Sequence, residues 1–489
     1  MNWKLIWKSL ADADMRKKIL AVLGIVIIFR ILAHIPIPIS DPQNVRQVLE
    51  SLFTSSDTPQ FLSFLNVLSG GALANFSIML VGLGPYINAS IIMQLLTRAV
   101  PKLETLNKEG EYGRKKINQM TRMLTLPLAI MQSVGAIYLV KQQASQLSGL
   151  GDITANSSLM QWVLMVAALT GGSMILMWLG ELITEQNIGN GISLLITVGI
   201  VSTLPASLAA LVGGVFNGDQ KYNLLNYQIP IDFGALKVFG IIAISVILAI
   251  VAVVKLNEAA RRLTVHYAKR IQGNRTYGGV TTVLPVKLIG AGVVPIIFAV
   301  AFLSVPTFIG QILTSNQSVE LQQLGSNLVT WFQTPSAQTF VAADWHSYIY
   351  PVTYFALVFL FTFFYTNITF NAKDISENLQ KQGGFIADVR SGPQTEKYLS
   401  KVVNRLTLFG GIAIALLAVV PIAGEVFLGN NLAIGGTSVL ILVSVSLETL
   451  RKVESQALMI TYSQYDGGDF FQEVEAEEKA KRRLFRRRK

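Results

Sequence analysis

Cysteine is absent from this 489-residue chain, and histidine occurs only three times, at His34, His266 and His346. Disulfides, thiolate nucleophiles and cysteine-bearing metal sites are thereby excluded, and a histidine-rich metal cluster is short of ligands. Charge is scarce too: Asp, Glu, Lys and Arg make up 14% of the residues, against about a quarter in a soluble domain. Acid is scarcest inside the long apolar stretches, where Glu181, Glu425 and Glu448 lie only near the ends. Ion-coupled transporters usually bury Asp, Glu or His in their spans as relays or ion ligands. A small-solute secondary transporter, the alternative reading of such a chain, would lack those ligands here. An intramembrane enzyme would lack its Ser/His, paired-Asp or metal constellation, so no catalytic residue and no cofactor is expected.

What the chain does have is apolar length. Hydrophobic residues make up 51%, and the mean hydropathy is +0.48. A helix of about 20 mostly apolar residues crosses the hydrocarbon core of a bilayer. Ten stretches qualify or nearly so, near 19–38, 76–97, 121–140, 159–181, 190–213, 235–254, 286–309, 349–370, 404–423 and 432–450. The basic start (Lys4, Lys8, Arg16, Lys17, Lys18) runs into a stretch too long for a signal peptide and without an A-x-A-like site, so the first span reads as a retained anchor.

The distribution of positive charge gives the topology. Of the 40 Lys and Arg, 35 lie in 1–18, 98–122, 255–287, 373–405 and 451–489, all on one side of the ten spans. Arg46, Lys141, Lys221 and Lys237 lie on or beside the opposite loops, and Arg30 lies within the first span. The positive-inside rule then places both termini in the cytoplasm. The net charge of +11 follows mainly from this asymmetry, and by itself says nothing of nucleic acid.

The chain divides into a cytoplasmic tail (1–18), a first half of five spans (19–213), an external hinge loop (214–234), a second half (235–455) and a cytoplasmic tail (456–489). The outer loops near 39–60, 214–234 and 310–348 are polar and read as solvated connectors. Two cytoplasmic segments are larger than connectors need to be. Residues 255–285 alternate like strands and carry six basic residues, while 371–403 start as a helix and turn around Arg390. Large ordered loops on one face suggest a docking platform. Arg261, Arg262, Lys269, Arg270 and Arg275 exceed what topology requires, and such a cluster is the footprint of an acidic or phosphate-rich partner. The last tail switches from acid (Glu473, Glu475, Glu477, Glu478) to base, and reads as a solvated segment brushing anionic lipid or RNA.

Three features lie at membrane depth. Residues 61–75 (FLSFLNVLSGGALAN) are apolar but too short to cross, which suits a re-entrant piece or an amphipathic helix on the outer leaflet. Arg30 must face a polar partner or snorkel, since an unpaired Arg mid-bilayer costs at least ~2.5–3.5 kcal/mol, and a tie to carbonyls or to another subunit is expected. Aliphatic residues flank helix breaks: Leu83 and Ile87 bracket Gly84-Pro85, and Ile192 and Ile196 follow Gly189-Asn190-Gly191. Ile297 follows Pro295, and Ile441 follows Gly435-Gly436. Breaks within spans mark bends around something, yet each aliphatic singly reads as ordinary packing.

From about residue 10 to 465 the chain resembles the SecY family, the central subunit of the protein-conducting translocon, and its bacterial members most closely. The segments that carry the likeness include SGGALANFSIMLVGLGPYINASIIMQLL (69–96), KEGEYGRKKINQMTR (108–122), TEQNIGNGISLLI (184–196), ARRLTVHYAKRIQGNRTYGG (260–279), LPVKLIGAGVVPIIFA (284–299), SENLQKQGGFIADVRSGPQTEKYL (376–399) and GGTSVLIL (435–442).

The resemblance implies an all-α polytopic membrane protein: ten transmembrane helices in two five-helix halves around an hourglass pore, with a short re-entrant plug helix. It puts Leu83, Ile87, Ile192, Ile196, Ile297 and Ile441 in the pore ring, closing by dewetting. It puts Phe61, Leu62, Phe64, Leu65, Val67, Leu68, Gly70 and Gly71 in the plug. Spans two and three against seven and eight become a lateral gate for signal sequences and nascent helices. Arg261, Arg262, Lys269, Arg270, Arg275 and Arg390 become contacts for the motor ATPase SecA or the ribosome and its rRNA. SecE- and SecG-like small subunits, a bacterial plasma membrane and secretory preproteins complete the implied setting. One departure stands out: the family's turn usually reads Arg-Pro-Gly, whereas Arg390 precedes Ser391-Gly392-Pro393, which implies a looser local geometry.

Overall fold

The computed structural model describes residues 12–37, 69–72, 76–146, 158–216, 221–224, 227–230, 233–267, 270–272, 275–277, 279, 281–290, 292, 294–314, 318–332, 335, 345–428 and 436–466. Its helices are α1 (Ala13–Leu32), α2 (Gly84–Ala99), α3 (Pro101–Lys108), α4 (Glu111–Gln146), α5 (Leu159–Glu185), α6 (Gly191–Val215) and α7 (Phe233–Glu258). They continue with α8 (Val294–Thr314), α9 (Val319–Phe332), α10 (Ile349–Thr369), α11 (Ala372–Lys381), α12 (Pro393–Leu428) and α13 (Gly436–Asp466). Among the described residues six helices are long and apolar enough to cross a membrane. Each of the ten apolar stretches coincides with a helix, with shifted ends.

The second stretch starts late. Residues 76–83 run as turns, with Phe76 at φ 45° and Gly82 at φ 62°, and the helix starts only at Gly84, where Pro85 is pre-set for a first turn. The ninth stretch is the middle of a 36-residue helix, α12, whose first turns lie in the polar segment 371–403.

Packing joins α2 to α4, α4 to α5, α5 to α6, α8 to α10 and α10 to α12. The first five spans meet the last five along two seams, α6 on α7 and α13, and α2 and α4 on α8. One apolar core runs through both sets, from Phe29 and Met79 through Leu176 and Ile200 to Phe298, Tyr354 and Ile422. Outside it, α7 presents a greasy face (Ile244, Ile247, Leu248), with only 11% of its most apolar window buried. A bilayer is the solvent that accepts such a face.

Residues 260–287 and 370–406 form a second, smaller core. β3 (Ala260–Tyr267) pairs antiparallel with both β6 (Thr281–Lys287) and β7 (Gly384–Ile386). Leu263, Val265, Val286 and Ile386 pack there against Ala372, Leu399 and Val403 of α11 and α12. A short hairpin of β4 (Arg270–Gln272) and β5 (Arg275–Tyr277) projects from the sheet.

Two outer loops hold more structure than solvated connectors would. Residues 221–230 carry the hairpin of β1 (Lys221–Leu224) and β2 (Tyr227–Pro230), named here in chain order before β3. The loop 310–348 carries α9, which lies against α8 at a glycine-to-glycine contact. A Cβ on Gly325 would sit 2.7 Å from the Gly310 carbonyl oxygen.

Candidate functional site: an aliphatic waist and a cytoplasmic platform

The six aliphatic residues all belong to, or pack against, the large apolar core. Leu83, Ile87, Ile196, Ile297 and Ile441 belong to one buried cluster, each no more than 6% exposed, and the partly buried Ile192 packs against it. They arrive from four helix starts. Leu83 caps α2 and Ile87 lies one turn on, Ile192 and Ile196 open α6, Ile297 sits in the first turns of α8, and Ile441 early in α13. A contact of this kind gives water and ions no hydrogen-bonding group.

Local chemistry fixes two of these starts. At α6, the Asn190 side chain accepts from the backbone N–H groups of Ile192 at 3.2 Å and Ser193 at 3.5 Å, filling the N-cap role. The Thr184 hydroxyl donates to the Gly180 carbonyl at 2.8 Å and accepts from the Gly191 N–H at 3.0 Å. This stitches the end of α5 to the start of α6. At α2, the Ser173 hydroxyl donates to the Gly82 carbonyl at 2.6 Å and holds the preceding turn on α5.

Phe61, Leu62, Phe64, Leu65, Val67 and Leu68 lie outside the described residues. Gly70 and Gly71 are described: both have positive φ, 71° and 84°, in a turn beside α1 and α6. Arg30 finds the carbonyl partner expected of it. Its Nη1 donates to the Gly70 carbonyl at 2.6 Å and to the Ser202 hydroxyl at 2.9 Å. Ser202 had no signal in the sequence, because a partner 172 residues away leaves no local pattern.

On the platform, strand alternation buries Leu263 and Val265 and leaves Arg262 exposed, while Arg261, on the inward face, is exposed near the start of the strand. Arg270 opens β4 and Arg275 opens β5, while Lys269 lies outside the described residues. Arg390 is exposed in the turn that follows β7. Two side chains hold that turn. The Thr395 hydroxyl donates to the Arg390 carbonyl at 2.8 Å and the Ser376 hydroxyl to the Gly392 carbonyl at 2.7 Å, with Gly392 at φ 95°. Pro393 then opens α12, a position where its missing N–H costs nothing. Lys287, at the end of β6, is pushed below the usual lysine range by burial and then by Arg451, with Glu448 opposing.

Spans that converge on aliphatic side chains, above an ordered basic platform, suit passage rather than capture: this is a multi-pass helical membrane channel. The SecY family model matches residues 77–450. Relatives described as protein translocase subunit SecY include that of Streptomyces galbus, 39% identical over 460 residues, covering 93% of this chain and 98% of the relative. That of Corynebacterium glutamicum is 37% identical over 464 residues, covering 94% and 98%. The chain belongs to the SecY family and is a subunit of a protein-conducting channel.

Solved structures agree on the fold. A protein-conducting channel superposes with a TM-score of 0.58 at 18% identity, covering 89% of this chain and 91% of that one. A SecY protein studied for its plug domain gives 0.59 at 18% identity with the same coverage. Sec61 from the canine ribosome–channel complex gives 0.55 at 17% identity, covering 90% and 91%. The fold is therefore the ten-helix channel architecture with its central hourglass.

Proposed function

We propose that this chain is the passive pore subunit through which unfolded preproteins cross the bacterial plasma membrane, and from which hydrophobic helices pass sideways into the bilayer. What supports this reading is that Leu83, Ile87, Ile196, Ile297 and Ile441 are buried in one apolar core with Ile192 packed against it, each near the start of a helix and drawn from both halves of the bundle. A ring of this kind excludes water at rest and yields around a chain of any sequence. Residues 61–75 act as the plug of the outer funnel. The seam of α2 and α4 on α8 is the lateral gate, where segments leave according to their transfer free energy.

Both termini lie in the cytoplasm, and the platform receives the drive. Arg261, Arg262, Lys269, Arg270, Arg275 and Arg390 seat either the SecA motor or a ribosome through its rRNA. The neighbouring fold that was solved on a ribosome gives the second partner its precedent. SecE- and SecG-like subunits cover the exposed spans. In this reading the channel is passive, and the energy comes from the partner's nucleotide hydrolysis. Replacing Ile87 and Ile192 by Asn tests the ring: ions should leak through the resting channel in a reconstituted bilayer. Unchanged conductance would remove both residues from the ring.

A further inference from the structure

We propose that Arg30 is a positioning residue for translocation: it clasps the Gly70–Gly71 turn between α1 and α6, and thereby sets how strong a signal sequence must be to open the channel. The inference rests on the reading of 61–75 as a plug, since Gly70 and Gly71 lie near that segment's C-terminal end.

The geometry is that of a closed clasp. Gly70 has φ +71°, and a Cβ added there would lie 2.8 Å from Phe29 Cζ and 3.2 Å from Gly199 Cα. Only glycine fits this slot, and it is gripped from two sides, by α1 and by the backbone of α6. Phe29 supplies the packing, and the next residue, Arg30, supplies the bond. Its guanidinium reaches the Gly70 carbonyl at 2.6 Å and the Ser202 hydroxyl at 2.9 Å. Ser202 is itself held, donating to the Gly199 carbonyl at 2.6 Å.

Three segments far apart in sequence, α1, the Gly70 turn and α6, are thus joined through one half-buried cation. Among the described residues the partners of that cation are neutral, a carbonyl and a hydroxyl, with no carboxylate to hold the charge once the turn leaves. Charge-assisted hydrogen bonds are about twice as strong as neutral ones, and more so where water is excluded. Moving the turn strands the guanidinium in an apolar setting, and that cost favours the closed state. A long apolar signal offsets the cost on binding, and a short one does not. The clasp therefore acts as a threshold.

The test uses the full chain reconstituted with its small subunits and motor, in the variants Arg30→Met, Arg30→Lys and Ser202→Ala. Import of a precursor with a shortened apolar signal is measured relative to the same precursor with its intact signal, alongside resting ion conductance. Arg30→Met should raise the ratio about tenfold, the order expected for losing one charge-assisted hydrogen bond. Arg30→Lys should fall between Met and the parent, and resting conductance should rise with the ratio. A merely structural role would lower import of both precursors together and leave the ratio unmoved, which would overturn the proposal.

Should Arg30→Met fail to accumulate, Ser202→Ala keeps the cation and carries the test: a raised ratio supports the clasp and an unchanged one overturns it. Deleting 61–68 separates the two readings. If that deletion raises conductance while the ratio stays flat in the Arg30 variants, the clasp is wrong and the plug stands. If the deletion leaves conductance unchanged, the plug reading falls and the clasp falls with it.

Discussion

At Gly172 there is no room for a side chain. A Cβ there would sit 2.0 Å from the Ile78 carbonyl oxygen, where α5 presses on the turn ahead of α2, and a Cβ on Gly191 would sit 1.9 Å from the Gly180 oxygen. Both obstacles are backbone, which cannot swing aside as a side-chain tip can. Gly172→Ala should therefore cost about 1–3 kcal/mol, the range for overpacking, and lower the thermal midpoint of the purified protein. A midpoint within error of the parent would show that the turn moves freely. Arg390 is the opposite kind of residue. Its turn is held by Ser376, Thr395 and Gly392, none of which needs the guanidinium, so its side chain is available to a partner. Arg390→Glu should leave stability unchanged and impair motor-driven export more than co-translational insertion. Equal defects in the two assays would count against its docking role.

Among the elements, α4 and α5 are joined by a two-pronged ion pair: Arg122 Nε lies 2.8 Å from Glu181 Oε1, and Arg122 Nη2 lies 2.6 Å from Glu181 Oε2. Glu181 is mostly buried while Arg122 is half exposed, so the pair stands between the weak surface case and the costly buried one. Arg122→Gln should destabilise by about 1 kcal/mol. An unchanged thermal midpoint in the purified Arg122→Gln protein would show that the pair adds nothing to stability. Spans and strands were legible for elementary reasons. A membrane helix needs only apolar length, and β3 shows its period of two in Leu263 and Val265 facing in against Arg262 and Thr264 facing out. The helix α9 was readable and was missed. Its less exposed residues Leu321, Gly325, Leu328, Val329 and Phe332 recur at helical spacing, inside a loop taken as polar on composition. The late start of α2 had no such signal, since it depends on Ser173 and Gly172 holding the turn from another helix.

For the whole molecule, two asymmetries visible in the sequence set the plan. Apolar length makes the bundle, and the lopsided positive charge gathers on the face that carries the ordered platform. What the sequence left dark was burial: the six aliphatics lie far apart along the chain, and only tertiary packing puts them in one apolar core. The same holds for Arg30, whose need for a partner was plain and whose partners were not. The exposed apolar face of α7 makes a further prediction, that a small single- or few-span subunit co-purifies with this chain in mild detergent; recovery of the chain alone under those conditions would count against a cover there. The most direct test of the account is import itself. Vesicles holding this chain, its small companions and the motor should take up a secretory precursor into a protease-protected lumen when ATP is added. Protection that never rises above vesicles lacking the chain would contradict the account.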